Sequence, residues 1–188
     1  MAVFLCVNTN AGIRAKLRTI IKLENIMLEV ITYGNEILEQ KADSVTEFDE
    51  RLAETIAQMF EAMKHDRGIG LAAPQVALKK RLFITDVEGD KKRVFVNPEI
   101  IMTSPELSEY EEGCLSFPGL YFVVKRPASV TIQAYNEKGK PFTLDADGLL
   151  ARVIQHEYDH LEGKLFIDRI PPMRRERALL HYRRLVKM

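Results

Sequence analysis

The sequence contains no tryptophan and only two cysteines, Cys6 and Cys114. Two cysteines cannot form the disulfide framework of a small secreted protein, so a reducing, cytoplasmic location is predicted. The chain also lacks a hydrophobic run of the ~20 residues that cross a bilayer, and no membrane partner is expected. No glycine-rich segment ends in Lys-Ser or Lys-Thr, the ending of a phosphate-binding loop, so a nucleotide cofactor is not expected either.

The composition is that of one globular domain. Hydrophobic residues make up 46% and charged residues 29% of the 188 residues, a length that fits a single domain. The net charge is zero, but both ends of the chain are basic. Basic ends can contact polyanions; the alternative is a solvent-exposed helix face. At the C-terminal end, Glu176 is accompanied by six basic residues: Arg174, Arg175, Arg177, Arg183, Arg184 and Lys187.

Residues 1–26 are predicted to be a non-core N-terminal extension, and residues 27–188 to form a single domain. The apolar stretch at residues 2–7 follows no basic region, so a secretory signal is not expected. Residues 27–32 alternate like a β-strand, and Gly34 with Asn35 indicates a turn.

The hydrophobic periodicity predicts an α+β fold of short antiparallel strands around a central helix, residues 149–162. A second helix, residues 48–63, is predicted in the N-terminal half with Asp49 as its N-cap, and a basic helix from Pro172 to Val186. Strands rich in β-branched and aromatic residues are predicted in five segments, of which the last two form a hairpin: 81–87, 93–96, 121–124, 129–135 and 141–144.

The strongest motif in the chain is His156-Glu157-Tyr158-Asp159-His160, in the predicted central helix. Residues four apart project from the same helix face, so both imidazoles can bind one metal ion. Glu157 can then reach a water molecule on that ion and act as an acid–base catalyst. Short matches of this kind also arise by chance in solvated helices, but the apolar residues that precede it favour a buried helix.

A catalytic centre of this type takes three protein ligands and leaves one position for water. One group of metallopeptidases extends the motif to a third histidine, but Phe166 occupies that position here and cannot bind a metal. The remaining candidates are His65, His181, a carboxylate and Cys114. Cys114 is the best of them because it lies in a small-residue loop, residues 111–119; the alternative is a buried, inert thiol.

A third segment, residues 68–76, combines glycines, which let a backbone approach a ligand closely, with the amide of Gln75. Taken alone, it is also compatible with a tight connection between a helix and a strand. Together, three segments resemble the peptide deformylase family in order and spacing, from about Met27 to Ile170. They are Gly68-Ile-Gly-Leu-Ala-Ala-Pro-Gln75, Glu112-Gly-Cys-Leu-Ser116 and Gln155-His-Glu-Tyr-Asp-His160.

The resemblance implies a hydrolase that removes the formyl group from the N-terminal formyl-methionine of newly made polypeptides. It implies one divalent metal ion, bound by Cys114, His156 and His160, with Fe²⁺ expected and Zn²⁺, Ni²⁺ or Co²⁺ as alternatives. Water activated by the ion would attack the formyl carbon, with Glu157 as general base and then as general acid. It also implies ribosome contact through the basic C-terminal helix.

The same resemblance implies further roles for individual residues. The Gln75 side chain and the Leu115 backbone N–H would stabilise the oxyanion of the intermediate. Gln155 and Asp159 would orient the metal ligands. Some family members have an arginine that faces the substrate where this chain has Tyr121. The substrate main chain would pair with Ile69, Gly70 and Gly113, and its methionine side chain would contact Leu149, Val153 and the face of His156.

Two other functions are alternatives for this sequence. A metallopeptidase that cleaves internal peptide bonds is disfavoured by Phe166 in place of a third histidine. A metal-retaining binding module without catalytic activity is disfavoured by the presence of both Glu157 and Gln75.

We predict that a chain starting at Met27 keeps the thermal stability and turnover of the full chain, because residues 1–26 lie outside the resemblance. Thermal denaturation and hydrolysis of formyl-Met-Ala measure the two properties. A chain that starts at Tyr33 is the control, and it should lose stability because it also lacks the predicted strand. A large fall in melting temperature on removal of residues 1–26 alone would show that the extension packs on the domain.

Overall fold

In the computed structural model, which describes residues 28–185, seven antiparallel strands surround one buried helix. The predicted α+β fold class is confirmed. The helices are α1 (Glu50–His65), α2 (Gly148–Leu161) and α3 (Pro172–Leu185). The strands are β1 (Gly70–Ala72), β2 (Leu82–Thr85), β3 (Arg93–Thr103), β4 (Leu107–Gly113), β5 (Tyr121–Pro127), β6 (Ser129–Tyr135) and β7 (Pro141–Asp147).

The strands form two separate sheets. Five of them pair in the order β1-β2-β3-β6-β7, and β4 pairs with β5 in a two-stranded sheet. All of these pairs are antiparallel. The strand β1 lies at one edge of the larger sheet, and its three residues are all buried. The β4–β5 sheet makes no strand pairing with the larger sheet. We call this two-stranded sheet, residues 107–127, the hairpin.

The helix α1 begins where its N-cap was predicted. The Asp49 carboxylate accepts a hydrogen bond from the Leu52 backbone N–H at 2.9 Å, which satisfies one of the free donors of the first turn. The apolar stripe at helical spacing faces inward, and Leu52, Ile56 and Met59 belong to a core cluster that also contains residues of β1 and β2. One face of α1 therefore covers this end of the larger sheet.

The helix α2 is the central element of the fold. Most of its side chains are buried, including polar ones, because it packs against strands of the larger sheet and against the hairpin. Apolar residues on one side, among them Ala151 and Ile154, join a cluster with Phe83 and Phe95 of the sheet. The opposite side carries the polar residues of the predicted metal motif.

The helix α3 is amphipathic. Ala178, Leu179 and Tyr182 are buried in a cluster with Phe117 and Phe166. Its other face is basic and exposed. The predicted end of this helix at Val186 lies outside the described residues, as do residues 1–26 and the start of the predicted strand at Met27.

One prediction about local structure was wrong, and two strands were not predicted. Residues 28–32 form no strand, because the backbone of this segment bonds to residues outside any strand: Ile31 N–H to Gln75 O at 2.8 Å and Tyr33 N–H to Ser116 O at 2.9 Å. The strand β4 is not predicted because it is acidic and mostly exposed, and its last three residues lie in the predicted loop, residues 111–119. The strand β1 has only three residues, too few for a periodic pattern.

Among the described helices, none has the length and apolar character that spanning a membrane requires.

Candidate metal centre

The two histidines of the motif lie one turn apart on α2. The centroids of the His156 and His160 rings are 5.2 Å apart, and both side chains are buried. The helical spacing of four residues gives them a common direction, as the sequence predicts.

Cys114 completes a group of three possible ligands. It follows the last residue of β4, and its Sγ lies 3.3 Å from His160 Nε2. The ligand atoms of Cys114, His156 and His160 all lie within 4.8 Å of one another. No other such group of three occurs among residues 28–185. His65 is exposed and pairs with Asp66, and His181 is also exposed.

The donor chemistry of this group fits a divalent metal ion. A thiolate and two neutral imidazoles suit zinc and the later first-row transition metals. Burial by itself raises the pKa of the Cys114 thiol, but the neighbouring His160 and His156 outweigh burial and lower that pKa to about 5. This shift favours the thiolate, the form that binds metals.

Glu112 orients the first histidine. Its Oε2 lies 2.9 Å from His156 Nδ1, which leaves Nε2 of that ring for an ion. Burial opposes ionisation of Glu112, but hydrogen bonds from His156 and Arg126 hold the pKa of its carboxyl well below the usual range. Arg126 grips both oxygens, Nε to Oε1 at 2.7 Å and Nη2 to Oε2 at 3.0 Å. Arg152 also donates to Oε1, at 3.0 Å.

Asp159 and Gln155, which the resemblance gives an orienting role, hold α2 in place. Asp159 accepts hydrogen bonds from Arg126 and Arg169, and Gln155 donates to the Pro127 carbonyl at 3.0 Å. Glu112 belongs to the motif Glu112–Ser116, but the sequence indicates no role for it, and neither Arg126 nor Arg152 is identified from the sequence. For Arg152 a signal existed, since it precedes His156 by four residues and so shares its helix face.

Glu157 lies between the metal group and β1. A methyl group in place of the Gly70 hydrogen would clash with the Glu157 carboxylate and would lie 2.7 Å from Val153 Cγ1, so this strand residue must be glycine. Burial raises the pKa of Glu157 to about 7, although the two nearby histidines act in the opposite direction. Its Oε2 has no hydrogen-bond partner among the described residues. The carboxylate is thus buried, unpaired and able to exchange a proton near neutral pH.

Gln75 is held with its amide nitrogen toward the metal group. Its Oε1 accepts a hydrogen bond from the Ala72 backbone N–H at 2.8 Å, which fixes the amide plane. Its Nε2 lies 3.5 Å from Cys114 Sγ and 3.4 Å from Ser116 Oγ. A donor in this position can serve a ligand bound beside the metal.

These residues line one cavity of about 770 Å³ between β1, the end of β4 and α2. His160 is buried behind it. Tyr121, the residue at the arginine position of some relatives, also lines the cavity, and its ring lies against the Cα of Gly113. The other predicted site residues are all in the lining: Ile69, Gly70, Gln75, Gly113, Cys114, Leu115, Leu149, Val153, His156 and Glu157.

Comparison with known proteins points to one family. The family model described as polypeptide deformylase matches residues 27–176. The peptide deformylase of Treponema pallidum is 50% identical over 155 residues, which cover 82% of this chain and 95% of that protein. That of Neisseria meningitidis is 46% identical over 153 residues, covering 80% and 91%.

Solved structures agree with this result. A peptide deformylase from Legionella pneumophila superimposes with a TM-score of 0.76 at 42% identity, covering 84% of this chain and 96% of that one. The Synechococcus elongatus enzyme in complex with actinonin superimposes with a TM-score of 0.79 at 43% identity, covering 85% and 89%.

We predict that Cys114→Ala loses the bound metal, because two imidazoles alone leave the centre one protein ligand short. Metal content per chain, measured by elemental mass spectrometry after dialysis, checks this. Cys6→Ala, His65→Ala and His181→Ala are the controls and should keep about one ion per chain. Loss of metal from either histidine control, or its full retention by Cys114→Ala, would contradict the ligand set.

Proposed function

The chain belongs to the peptide deformylase family, and we propose that Glu157 is the proton-transferring group of its reaction. The protein is a metal-dependent hydrolase that removes the formyl group from nascent polypeptides. The observation that carries our proposal is the buried, unpaired carboxylate of Glu157 in the same cavity as the Cys114, His156 and His160 group. The reaction adds water to the formyl carbon and breaks the C–N bond, giving formate and a free amine.

Cys114, His156 and His160 would hold the metal ion. Bound there, the ion would lower the pKa of a water molecule toward neutrality. We propose Fe²⁺ as the native ion, with Zn²⁺, Ni²⁺ or Co²⁺ as substitutes that the same ligands accept.

Glu157 would take the proton of the attacking water and later deliver it to the departing amine nitrogen. Both transfers require a group with a pKa near the working pH. Burial supplies this property, since it raises the pKa of Glu157 to about 7. Gly70 supplies the space, because any larger residue would displace the carboxylate.

Gln75 Nε2 and the Leu115 backbone N–H would donate hydrogen bonds to the oxygen that gains negative charge. Gln75 is pre-oriented by its bond to Ala72, so little reorganisation is needed during the reaction. Leu115 follows Cys114 in the loop after β4 and lines the same cavity as Gln75.

The substrate main chain would enter as an extended strand. Among residues 28–185, β1 is an edge strand of its sheet and β4 pairs with β5 alone, so both have a side without a strand partner there. A peptide between them can pair with the backbone at Ile69, Gly70 and Gly113. The formyl-methionine side chain would then contact Leu149, Val153 and the ring of His156.

The alternative of an internal-bond peptidase gains no support. Phe166 stands at the position of the third histidine of such enzymes, and its ring packs 5.9 Å from that of His156 as part of the core.

We predict that Glu157→Gln keeps the metal and the fold but lowers kcat for formyl-Met-Ala by about 10²-fold or more, because glutamine cannot carry the proton. Initial rates with metal-loaded protein measure the loss. Glu109→Gln, an exposed change on β4, is the matched control. Activity above about a tenth of the wild-type rate would overturn the role of Glu157.

A blocked internal peptide should not be cleaved by the wild-type protein, and its cleavage would contradict the substrate class.

We also propose that the protein acts in the cytoplasm and contacts the ribosome through α3. The apolar face of α3 packs on the core, while Arg174, Arg177, Arg183 and Arg184 are exposed on the other. Arg175 is half-buried and its Nε donates to Asp168 Oδ1 at 2.8 Å, so it belongs to the face of α3 that packs on the core. The sequence left two roles open for this helix, packing and contact with a polyanion, and the two faces are compatible with both.

We predict that charge reversal at Arg183 and Arg184 weakens binding to ribosomes and flattens its dependence on salt, because phosphate contacts release counterions. Co-sedimentation at several salt concentrations measures both effects. Turnover of a free formyl-peptide should remain close to wild type. Charge reversal at Lys138 and Lys140, exposed residues of the β6–β7 turn, is the control for net charge. Equal binding by the α3 variant and wild type at every salt concentration would leave α3 with a packing role only.

A further inference from the structure

We infer that Arg152 is a positioning residue that sets the hairpin against α2, and through the hairpin sets Cys114 against the two histidines. The inference rests on the proposed ligand set and substrate cleft. It concerns a residue that is not one of the three candidate metal ligands and whose guanidinium bonds to the hairpin.

Within the described part of the chain, all hydrogen bonds of the Arg152 guanidinium go to the hairpin. Nη1 donates to Glu112 Oε1 and to the Val124 carbonyl, both at 3.0 Å. Nη2 donates to the Ser108 carbonyl and to its Oγ, both at 2.7 Å. One side chain of α2 therefore holds both strands of the hairpin, at three separate positions.

This clamp matters because the hairpin pairs with no other strand of residues 28–185. Its outer face, with Tyr121 and Val123, is exposed, and only its inner face contacts the body of the protein. On that inner face Glu112, Val124 and Arg126 are buried. Arg126 belongs to the hairpin and bonds to Asp159 of α2 at 2.6 Å. Each of the two elements therefore contributes one arginine that bonds to the other element.

The position of Arg152 links the clamp to the metal group. Arg152, His156 and His160 succeed one another at intervals of four residues, so they form one row along α2. Glu112, the carboxylate that Arg152 and His156 share, precedes Cys114 by only two residues. A shift of the hairpin would therefore move the sulfur relative to both imidazoles.

A positioning role for Arg152 differs from a purely stabilising role in how small a displacement of the hairpin has an effect. Metal–ligand distances tolerate errors of about 0.2 Å. A displacement of the hairpin larger than this would therefore disturb the three ligand atoms, which lie within 4.8 Å of one another, even with the hydrophobic core intact. We therefore expect the loss of Arg152 to weaken metal binding and peptide binding more than it alters the protons moved by Glu157, which is held by α2 and β1.

The test compares Arg152→Met with Arg81→Met. Arg81 is equally buried, at 5% exposure, and also combines carboxylate and carbonyl partners, namely Glu162, Glu99 and the Pro98 carbonyl. It joins α2 to the larger sheet and makes no bond to the hairpin. Any loss that follows merely from removing a buried arginine should appear in both variants.

We expect Arg152→Met to bind cobalt(II) about tenfold more weakly than Arg81→Met, the usual cost of losing a group that supports a metal ligand. Titration of metal-free protein, followed by the cobalt–thiolate absorbance, measures this without reference to activity. With saturating metal, the KM for formyl-Met-Ala should rise by about tenfold while kcat falls by less. Cobalt affinity and KM within twofold of those of Arg81→Met would overturn the inference.

Arg152→Lys decides the matter if the methionine variant does not fold. One ammonium group cannot span the acceptors on both strands as a planar guanidinium does, so weaker cobalt binding is expected from the folded lysine variant. Wild-type cobalt affinity and KM in that variant would overturn the inference. Retention of the metal by Cys114→Ala, with Arg152 unchanged, would instead contradict the proposed ligand set. The two results are therefore distinguishable.

Discussion

The whole site depends on one contact between two elements that the backbone does not join by strand pairing. The helix α2 supplies two imidazoles, and the end of β4 supplies the thiolate. The carboxylate of Glu112 is the joint between them, since it accepts bonds from Arg152 and His156 of the helix and from Arg126 of the hairpin. Glu112 thereby fixes the sulfur of Cys114 relative to the two imidazoles, and the three ligand atoms lie within 4.8 Å of one another.

Such a joint is stable only because its charges are balanced. A buried carboxylate whose partner is removed typically costs ~3–5 kcal/mol. Here Arg126 is shared between Glu112 and Asp159, and Asp159 has a second partner in Arg169. Each acidic group thus faces more than one guanidinium. The fork geometry of arginine also fixes distances in a way that an apolar contact does not.

The chemistry of the site was readable in the sequence wherever it depends on local spacing. His156, Glu157 and His160 are local because a helix places residues four apart on one face, and the Asp49 cap is local for a similar reason. The role of Arg152 was not, although it shares that face. Its partners lie on β4 and β5, and the exposed, acidic β4 shows no hydrophobic alternation that would have revealed a strand. Tertiary hydrogen bonds to backbone carbonyls leave no periodic trace in a sequence.

Glu112 of β4 and Glu157 of α2 are two carboxylates near the same metal group with opposite pKa shifts. Both are buried beside the same histidines, yet the pKa of Glu112 is held far below normal while burial raises that of Glu157 to about 7. The difference comes from their other neighbours. Arginines surround Glu112, whereas the carboxylate of Glu157 lies close to the backbone of Gly70. A permanently charged group can hold a ligand, and a group with a pKa near 7 can move a proton. The arginines must therefore keep to the hairpin side of α2, because one of them beside Glu157 would lower the pKa of the proposed base.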